Sequence, residues 1–394
     1  MTNLIVGFGT TGKSIQRYLE RNNETFSVYD DFQEIPENLQ FKDSNLENIN
    51  RVIISPGIKP DHWILATARK LNIKITTDIE IFASLNKIKL IGITGTNGKT
   101  TFVHYLSEIL NNKGFVTTTA GNIGVSPLDL IETDKNYDYI ILELSSFQLE
   151  YLNNIQLEIA IITNIFEDHI DWHKNFNNYA ESKLKILKFV KENSNLYIGE
   201  LDKRLSLEKK FEKNKITMKK YNHKNFYDEF INLMVQVCEK FKINEDDILK
   251  ILNDAPQMEH RFEKFFVNDT TIFINDSKST NFQSVFKATT KVSNALLILH
   301  GLTKDIDYRT FQISDNVKEI ILPTYMEDLK NLKNLNNFKI TTYTKFEELK
   351  KILFEKSNNY EFVLFSCGGS SFNEFKNYKE RGEKFKELVI GILS

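Results

Sequence analysis

The chain has 394 residues, a formal net charge of −2 and 41% hydrophobic residues, which suits a globular protein of two or three domains. This charge balance excludes a global basic field, so we expect no nucleic-acid partner. Two cysteines, Cys238 and Cys367, are too few for a disulfide scaffold or a cysteine-rich metal site. The first residues lack the features of a signal peptide, and no apolar run is long enough to span a membrane. We therefore expect a soluble cytoplasmic protein with no membrane partner. We also expect a monomer.

The first segment opens with a predicted strand that runs into a glycine pattern. "LIVGFGTTG" contains G-x-G-x-x-G at Gly7, Gly9 and Gly12, and a helical pattern follows. Asp30 and Asp31 lie about 20 residues further on, where a dinucleotide-binding fold places its ribose-binding acid. "RVIISPG" and "IKITTD" predict further strands. Three interpretations stay open here: a structural tight turn, a nicotinamide-cofactor site and a site for another nucleoside diphosphate.

The second segment contains a run, "GITGTNGKTT" at 92–101, that almost matches a phosphate loop. The common pattern is G-x-x-x-x-G-K-[ST], but the position of its first glycine holds Ile93. "KLIGIT" predicts a buried strand, and "TFVHYLSEIL" predicts a helix with one apolar face. Gly95 and Gly98 would let backbone N–H groups turn toward an anion at the helix N-terminus. Lys99 would then neutralise the β- and γ-phosphates of a nucleotide.

Candidate ligands for Mg²⁺ occur in the phosphate loop and after the next two predicted strands. In the loop, Thr100 or Thr101 would hold the ion. Glu143 ends the apolar run "YDYIILE", and His169 follows "IAIITNIF". Because parallel strands end at one edge of a sheet, we expect the loop, Glu143 and His169 to face one crevice, with Glu143 as a ligand of Mg²⁺ or water. Lys183 lies on a partly apolar helix face, and the pattern alone favours a lysine that extends into solvent.

The rest of the chain is a weakly patterned stretch followed by a third α/β segment. Residues 193–256 are charged and rich in asparagine, and only "FINLMVQVCEKF" predicts a helix there. Strands are then predicted at "TIFIND", "ALLILHG", "KEIILP", "FKITTY" and "EFVLFSCGG", before a long amphipathic helix or helix pair at 372–393. Polar loops follow three of these strands and predict a second ligand-binding edge. The candidate binding residues in these loops are Asp276, Lys278, Thr280, Lys304 and Ser371.

Taken together, these motifs resemble the Mur ligases, the family of enzymes that add amino acids to the peptidoglycan precursor. "GITGTNGKTT" is the form of phosphate loop found in that family, which makes Ile93 a family variant. The other motifs that carry the resemblance, in the family's order, are "NIGVSPL" (122–128), "ELSSFQLE" (143–150), "EDHIDWH" (167–173), "HRFE" (260–263), "NDSKSTN" (275–281) and "FNEFKNYKERG" (372–382). The set is most similar to the members that join D-glutamate to UDP-N-acetylmuramoyl-L-alanine.

The resemblance implies an α/β fold of three domains. These are a Rossmann-like UDP-substrate-binding domain at 1–86, a central P-loop ATPase domain with a mainly parallel sheet at 87–257, and a Rossmann-like amino-acid-binding domain at 258–394. The glycine pattern of the first segment is thereby expected to face uridine diphosphate. The implied UDP-substrate-binding residues are Gly9, Thr10, Thr11, Gly12, Asp30, Asp31, Ser55, Gly57, Asn122 and His169.

The resemblance also implies ATP and Mg²⁺ as cofactors, with two magnesium sites. The implied ATP-binding residues are Gly95, Thr96, Asn97, Gly98, Lys99, Thr100, Thr101, Arg261 and Asp276. The implied metal ligands are Thr100, Glu143, His169 and Lys183, the last as a carbamylated lysine. The implied D-glutamate-binding residues are Thr280, Lys304, Ser371 and Tyr378. Adenine ligands stay open, with "NHKNFYDEF" (222–230) as a candidate.

The reaction that the resemblance implies has two steps. The carboxylate of the muramoyl-alanine substrate attacks the γ-phosphate of ATP, which gives an acyl phosphate and ADP; the D-glutamate amine then displaces phosphate. The implied catalytic residues are Lys99, Glu143, His169, Lys183 and Lys278. The alternatives are another Mur-type or folylpolyglutamate-type ligase, a nucleotide-binding protein without catalysis, and an NAD-dependent oxidoreductase built on the first glycine pattern.

Overall fold

The computed structural model divides the chain into two compact units, Met1–Phe166 with Asn177–Ala255 and Glu167–Phe176 with Pro256–Ser394. The residues that the structure describes are 2–42, 45–131, 135–203, 205, 226–268, 270–302, 311–332 and 335–393. Two sheets lie in the first unit and one in the second. All three combine mostly parallel strands with helices, which confirms the α/β class expected from the sequence. The domain ranges 1–86, 87–257 and 258–394 stay predictions.

The first sheet has four parallel strands in the order β2-β1-β3-β4. Its strands are β1 Thr2–Val6, β2 Phe26–Tyr29, β3 Ile49–Ile54 and β4 Lys74–Thr76, and its helices are α1 Thr10–Arg21, α2 Trp63–Lys70 and α3 Asp78–Leu85. Leu4, Ile5 and Val6 of β1 have no exposed surface, as expected for a parallel strand buried on both faces. Because all four strands are parallel, they end at one edge of the sheet, and the glycine pattern begins at that edge after β1.

The central sheet has five parallel strands in the order β6-β7-β5-β8-β9. Its strands are β5 Lys89–Thr94, β6 Thr117–Gly121, β7 Tyr139–Glu143, β8 Leu157–Ile165 and β9 Val190–Leu201. The helices of this stretch are α4 Lys99–Asn112, α5 Ser146–Tyr151, α6 Ile170–His173 (in the second unit), α7 Phe176–Leu184, α8 Phe226–Glu239 and α9 Glu245–Asp254, with 3₁₀ turns at Pro127–Leu130 and Lys185–Phe189. The apolar face predicted for α4 is fully buried at Phe102, Val103, Leu106, Ile109 and Leu110.

The sheet of the second unit has six strands in the order β10-β11-β15-β12-β13-β14. Its strands are β10 Glu263–Val267, β11 Ile272–Asp276, β12 Ala295–His300, β13 Val317–Pro323, β14 Lys339–Tyr343 and β15 Phe362–Gly368. Its helices are α10 Phe282–Thr289, α11 Glu348–Lys356 and α12 Tyr378–Leu393, with 3₁₀ turns at Thr324–Asn331 and Ser357–Asn359. β10 is antiparallel to β11 and the other pairings are parallel, so β11, β12 and β15 direct their following loops to one edge.

The sequence missed three strands, β6, β9 and β10, and all three lie at sheet edges. β9 crosses the start of 193–256, which was expected to be irregular, and β10 precedes the first strand expected in the last segment. An edge strand has a neighbour on one side only, so it forms with a weaker apolar pattern than a central strand. The terminal pattern at 372–393 is one helix, α12, rather than a pair. In the described part of the chain, no helix combines the length and apolar character needed to cross a membrane.

Candidate functional site

The phosphate loop adopts the tight geometry that its two glycines predict. Gly95 has φ +152°, and a Cβ there would lie 1.9 Å from the Thr163 hydroxyl oxygen. Gly98 has φ +78° and caps α4, so Lys99 is the first helical residue. A side chain is strained at both positions because positive φ favours glycine. Ile93 lies in β5 with no exposed surface, so the missing glycine of the common pattern falls in the core strand and not in the loop.

The end of β8 holds the loop in place through side chains that the sequence analysis did not select. Asn164 Oδ1 accepts a hydrogen bond from Asn97 N (2.9 Å), and Asn164 Nδ2 donates to Asn97 O (3.0 Å). Thr163 Oγ1 also donates to Asn97 O (2.8 Å), and Thr96 N donates to Asn164 O (2.9 Å). The loop is therefore pre-formed, with its backbone fixed by a neighbouring strand.

Two lysines converge on this loop from different helices. Lys99 Nζ donates to Gly95 O (2.8 Å) and Thr96 O (2.9 Å), while Lys183 Nζ donates to the same Gly95 O (2.7 Å). Lys183 is only 2% exposed, so the interpretation of a lysine that extends into solvent is wrong. Its Nζ lies 4.8 Å from the ring centroid of Tyr179, whose hydroxyl is 2.9 Å from Thr96 Oγ1. The structure thus adds Tyr179 to the candidate site.

Glu143 ends β7 as a buried carboxylate beside Asn122. Its side chain is 1% exposed, and Oε1 accepts a hydrogen bond from Asn122 Nδ2 (2.8 Å). Oε2 is buried without a hydrogen-bond partner. A buried carboxylate oxygen left unsatisfied is costly unless a cation or a donor arrives, so Glu143 fits a magnesium ligand. Among the described residues, no group of 3 or more His, Cys, Asp or Glu side chains could hold a metal.

The first glycine pattern forms a close turn at the start of α1. A Cβ on Gly12 would lie 2.1 Å from Gly7 O, and Ser55 Oγ donates to that same oxygen (2.8 Å). Asp30 accepts backbone hydrogen bonds from Phe8 N (2.6 Å), Phe32 N (2.9 Å) and Gln33 N (2.8 Å). Burial raises the pKa of Asp30, but these amide bonds outweigh it and leave the pKa below its usual value. Asp30 therefore shapes the loop.

Asp31 lies in a different setting, beside a cluster of aromatic rings. Its Oδ1 accepts a hydrogen bond from the Tyr29 hydroxyl (3.0 Å), and its Oδ2 lies 3.3 Å from His62 Nε2. Trp63 lies edge-on to Tyr29, with ring centroids 5.7 Å apart. Thr10 and Thr11 begin α1 after its N-cap Gly9, and the Gly57 Cα faces open space. These residues give the predicted UDP-binding edge a polar and aromatic surface.

In the second unit, the Asp276 carboxylate at the end of β11 anchors the start of the following loop. Asp276 accepts hydrogen bonds from Ser279 Oγ (2.5 Å), Ser366 Oγ (2.8 Å) and Phe262 N (3.0 Å). Burial raises the pKa of Asp276 above its usual value, although these donors partly oppose the shift. Lys278 Nζ lies 4.1 Å from the ring centroid of Tyr378. Lys278 and Tyr378, predicted from separate motifs, are thus in contact.

A fully buried arginine that the sequence analysis missed joins the three predicted binding loops of this unit. Arg381 donates to Ser277 O (2.7 Å) and Ser277 Oγ (3.0 Å) after β11, to His300 O (3.3 Å) at the end of β12 and to Gly369 O (3.0 Å) after β15. Leu302 and Ser370 also form a two-way backbone bridge, at 3.0 and 2.7 Å. Arg381 therefore fixes the edge at which the amino-acid-binding residues were predicted.

The predicted site residues are divided between the two units. The UDP-substrate residues other than His169, the phosphate loop, Glu143 and Lys183 belong to the first unit. The second unit contains His169, Arg261, Asp276, Lys278, Thr280, Ser371 and Tyr378. Ser371 is buried and Thr280 is half-buried, each in the loop where it was predicted. Lys304 lies outside the described residues, as do positions 222–225 of the adenine candidate at 222–230.

A pre-formed phosphate loop at the carboxyl edge of a parallel sheet, next to a buried carboxylate, defines a P-loop nucleotide-binding α/β protein. Comparison with known proteins gives the family. Residues 93–299 match the Mur ligase middle domain, and residues 1–77 match the Mur ligase MurD-like N-terminal domain. The chain therefore belongs to the Mur ligase family, where it resembles the MurD-like members.

Individual relatives cover the chain from end to end. The UDP-N-acetylmuramoylalanine--D-glutamate ligase of Fusobacterium nucleatum is 31% identical over 99% of both chains. The enzyme of that name from Buchnera aphidicola is 31% identical over 98% of this chain and 97% of its own. Among solved structures, the MurF ligase of Thermotoga maritima in complex with ADP aligns with a TM-score of 0.61 and 14% identity, covering 99% of this chain and 94% of its own. That last likeness concerns the fold alone.

Proposed function

We propose that this protein is an ATP-dependent ligase that adds D-glutamate to UDP-N-acetylmuramoyl-L-alanine in peptidoglycan precursor synthesis. One observation carries the proposal. Lys99 and Lys183 both donate hydrogen bonds to the Gly95 carbonyl of a phosphate loop, and the chain that contains this loop matches D-glutamate ligases over nearly its whole length. The loop supports ATP use, and the full-length relatives support the choice of substrate and amino acid.

The first step would be activation of the substrate carboxylate. A carboxylate oxygen attacks the γ-phosphorus of ATP, the bond to the β–γ bridging oxygen breaks, and ADP leaves with that electron pair. In phosphoryl transfer the protein contributes mainly position and charge neutralisation. Lys99 would give up its hydrogen bonds to the loop carbonyls and neutralise the phosphates. The loop, which Asn164 holds in place, would donate its backbone N–H groups to the same phosphates. Arg261 and Asp276 are proposed as further nucleotide contacts.

The second step would be amide formation. The D-glutamate amine attacks the acyl carbon, and phosphate leaves with the electron pair of the broken C–O bond. Lys278 is proposed to face the acyl end, and the proposed amino-acid contacts are Thr280, Lys304, Ser371 and Tyr378. Carboxylates of D-glutamate suit lysine and hydroxyl donors because charge-assisted hydrogen bonds are the stronger ones. Arg381 would hold the loops without touching the substrate.

Magnesium would supply charge neutralisation at the phosphates when it is bound. Glu143, with its unsatisfied Oε2, and Thr100 at the start of α4 are the residues that would hold it, with His169 as a further proposed ligand. Mg²⁺ commonly binds through one or two carboxylates together with substrate phosphates and water, so a small protein ligand set is adequate. A second magnesium site belongs to the same proposal.

The environment of Lys183 supports its modification to a carbamate. Two ammonium groups that share Gly95 O repel each other, and Lys183 is nearly excluded from the water that would screen this repulsion. Reaction of the neutral Lys183 amine with carbon dioxide forms an N–C bond, releases a proton and leaves a carboxylate. That group would attract the Lys99 ammonium and offer oxygen ligands to Mg²⁺.

The amino-acid dependence of ADP release tests the proposal. The purified protein is given ATP, Mg²⁺, UDP-N-acetylmuramoyl-L-alanine and one amino acid at a time, with the Lys99→Ala variant as a background control. We expect product and sustained ADP release with D-glutamate only. Preference for L-lysine, meso-diaminopimelate or L-glutamate would assign the protein to another ligase of this kind, and nicotinamide-dependent oxidation would overturn the ligase assignment.

A further inference from the structure

His169 has a backbone conformation that its own side chain does not favour. Its φ of 53° and ψ of 37° are left-handed, a region that residues with a Cβ occupy at a cost. A left-handed residue of this kind persists only where its surroundings hold it. The neighbouring contacts therefore decide where the imidazole lies.

The side chain of Asp168 provides one of these contacts and is itself buried. Only 4% of Asp168 is exposed, and its Oδ1 accepts a hydrogen bond from His169 N (2.9 Å). Its Oδ2 lies 3.7 Å from His169 Nε2. The Asp168 carboxylate thus lies next to both the backbone N–H and the imidazole ring of His169. A carboxylate that faces a metal-binding imidazole commonly sets its orientation.

The same carboxylate is held by the last residue of the "NDSKSTN" loop. Asn281 Nδ2 donates to Asp168 Oδ2 (3.2 Å), and Asn281 is also 4% exposed. Asn281 Oδ1 caps α10 by accepting a hydrogen bond from Ser284 N (3.0 Å). One amide side chain therefore joins the His169 segment to the loop that presents Asp276, Lys278 and Thr280.

We propose that Asn281 is a positioning residue that fixes His169 through Asp168. The inference rests on the proposed function, in which His169 is a metal and substrate ligand and the β11 loop binds nucleotide and D-glutamate. The Asn281–Asp168–His169 tether then makes the placement of the imidazole depend on the conformation of that loop. Ligands that order the loop would order His169 with it.

The test separates the tether from the helix cap. Asn281→Ser keeps a side-chain oxygen that can cap α10 but removes the Nδ2 donor. Asn244→Ser is the matched control, because Asn244 caps α9 in the same way, through Asp247 N (2.9 Å). Hydrogen exchange of the peptide at 167–173 is measured by mass spectrometry in protein free of nucleotide and metal, and ADP release is measured against Mg²⁺ concentration.

We expect Asn281→Ser to speed exchange at the His169 amide and to raise the Mg²⁺ concentration for half-maximal ADP release about tenfold. Asn244→Ser should change neither quantity. Exchange in Asn281→Ser that matches the control would overturn the tether, whatever the ADP assay shows. Faster exchange in a protein whose wild type makes no ADP with any amino acid would instead overturn the proposed function and leave the tether standing.

A second pair of variants excludes a general loss of folding. Asn281→Asp keeps the α10 cap but places two carboxylates together, whereas the double exchange of Asp168→Asn with Asn281→Asp restores a donor and an acceptor in the reverse sense. We expect the single Asn281→Asp variant to lose exchange protection at 167–173 and the double variant to recover most of it. A double variant with no more protection than Asn281→Asp alone would contradict direct coupling between the two side chains.

Discussion

Lys99 and Lys183 donate hydrogen bonds to the same acceptor, the carbonyl oxygen of Gly95. Lys99 lies in the first turn of α4 and Lys183 in the last turn of α7, so ammonium groups from two helices meet at one loop oxygen. The arrangement attracts anions at the loop, and it destabilises a second unmodified ammonium in a buried position. Both consequences are testable.

The first prediction concerns Lys183. The Lys183→Ala variant should lose ADP formation, and added short carboxylic acids should restore part of it, because the cavity left by the side chain admits a carboxylate in place of the proposed carbamate. Initial rates across a series of acetate and propionate concentrations measure the rescue. Lys185→Ala is the matched control, since Lys185 Nζ bonds to Glu150 O away from the loop, and it should need no rescue. Full activity of Lys183→Ala without any acid would refute the role.

The second prediction is that Glu143 lowers the stability of the folded protein while it supports activity. Glu143→Gln removes a buried charge whose Oε2 has no hydrogen-bond partner, so the variant should melt at the same temperature as the wild type or above it. ADP formation should fall by about 10²-fold and need more Mg²⁺, because one carboxylate ligand is gone. Calorimetry and magnesium titrations measure the two effects. A marked fall in melting temperature with unchanged magnesium dependence would show that Glu143 is structural.

The third prediction concerns Arg381. Arg381→Lys keeps the charge but cannot reproduce the planar set of donors that reaches Ser277, His300 and Gly369. We expect a loss of about 2 kcal/mol in unfolding free energy, since several charge-assisted bonds are broken in a buried place. The KM for D-glutamate should rise more than the KM for ATP. Arg69→Lys is the control, because Arg69 makes an exposed bond to Pro60 O, and it should leave both KM values unchanged. An equal rise in the KM for D-glutamate and the KM for ATP in Arg381→Lys would contradict the role of Arg381 in fixing the three loops.

The fourth prediction is a pH dependence of stability at Glu319 in β13. Burial alone raises its pKa, but hydrogen bonds from Lys356, Thr341 and Tyr360 outweigh it and lower the pKa to about 2. A pKa depressed in the folded state stabilises the protein above the unfolded pKa, and the contribution is lost as pH falls below about 4.5 toward 2. Glu319→Gln should therefore destabilise the protein by about 3 kcal/mol near neutral pH.

Urea unfolding at several pH values checks that sign. The difference between wild type and Glu319→Gln should be constant from pH 7 to about pH 5 and should shrink below that, because the wild-type carboxylate then begins to lose its advantage over the unfolded state. Glu355→Gln, on an exposed helical ion pair with Lys351, provides the control and should show no such slope. A difference that grows as pH falls would contradict the assignment.

The sequence predicted the central elements well because buried parallel strands carry continuous apolar runs. β5, β7, β8, β11 and β12 all lie where those runs predicted them, and the phosphate-loop glycines Gly95 and Gly98 both have a positive φ. The edge strands β6, β9 and β10 were missed because pairing on one side needs little apolar sequence. Lys183 shows the limit of a helical pattern, which cannot tell a lysine that points inward from one that extends into solvent.

Three site residues escaped the sequence analysis for the same physical reason, namely that a polar side chain inside an apolar pattern was given no weight. Asn164 interrupts the apolar run of β8 and braces the phosphate loop. Tyr179 precedes Lys183 by one helical turn and bonds to Thr96. Arg381 stands in the same stripe of α12 as Phe385 and Val389, and all three have no exposed surface. An arginine on the same helix face as buried apolar residues is therefore a signal of a buried side chain that joins loops by hydrogen bonds.

In the proposed mechanism, ATP activates the substrate carboxylate as an acyl phosphate before the amine attacks. An isotope-transfer experiment tests this order of steps, with ATP, Mg²⁺, D-glutamate and UDP-N-acetylmuramoyl-L-alanine that carries ¹⁸O in its alanine carboxylate. We expect the phosphate released in each turnover to contain one ¹⁸O atom from the substrate, because the acyl C–O bond breaks in the second step. Unlabelled phosphate, formed at the same rate as the amide product, would contradict it.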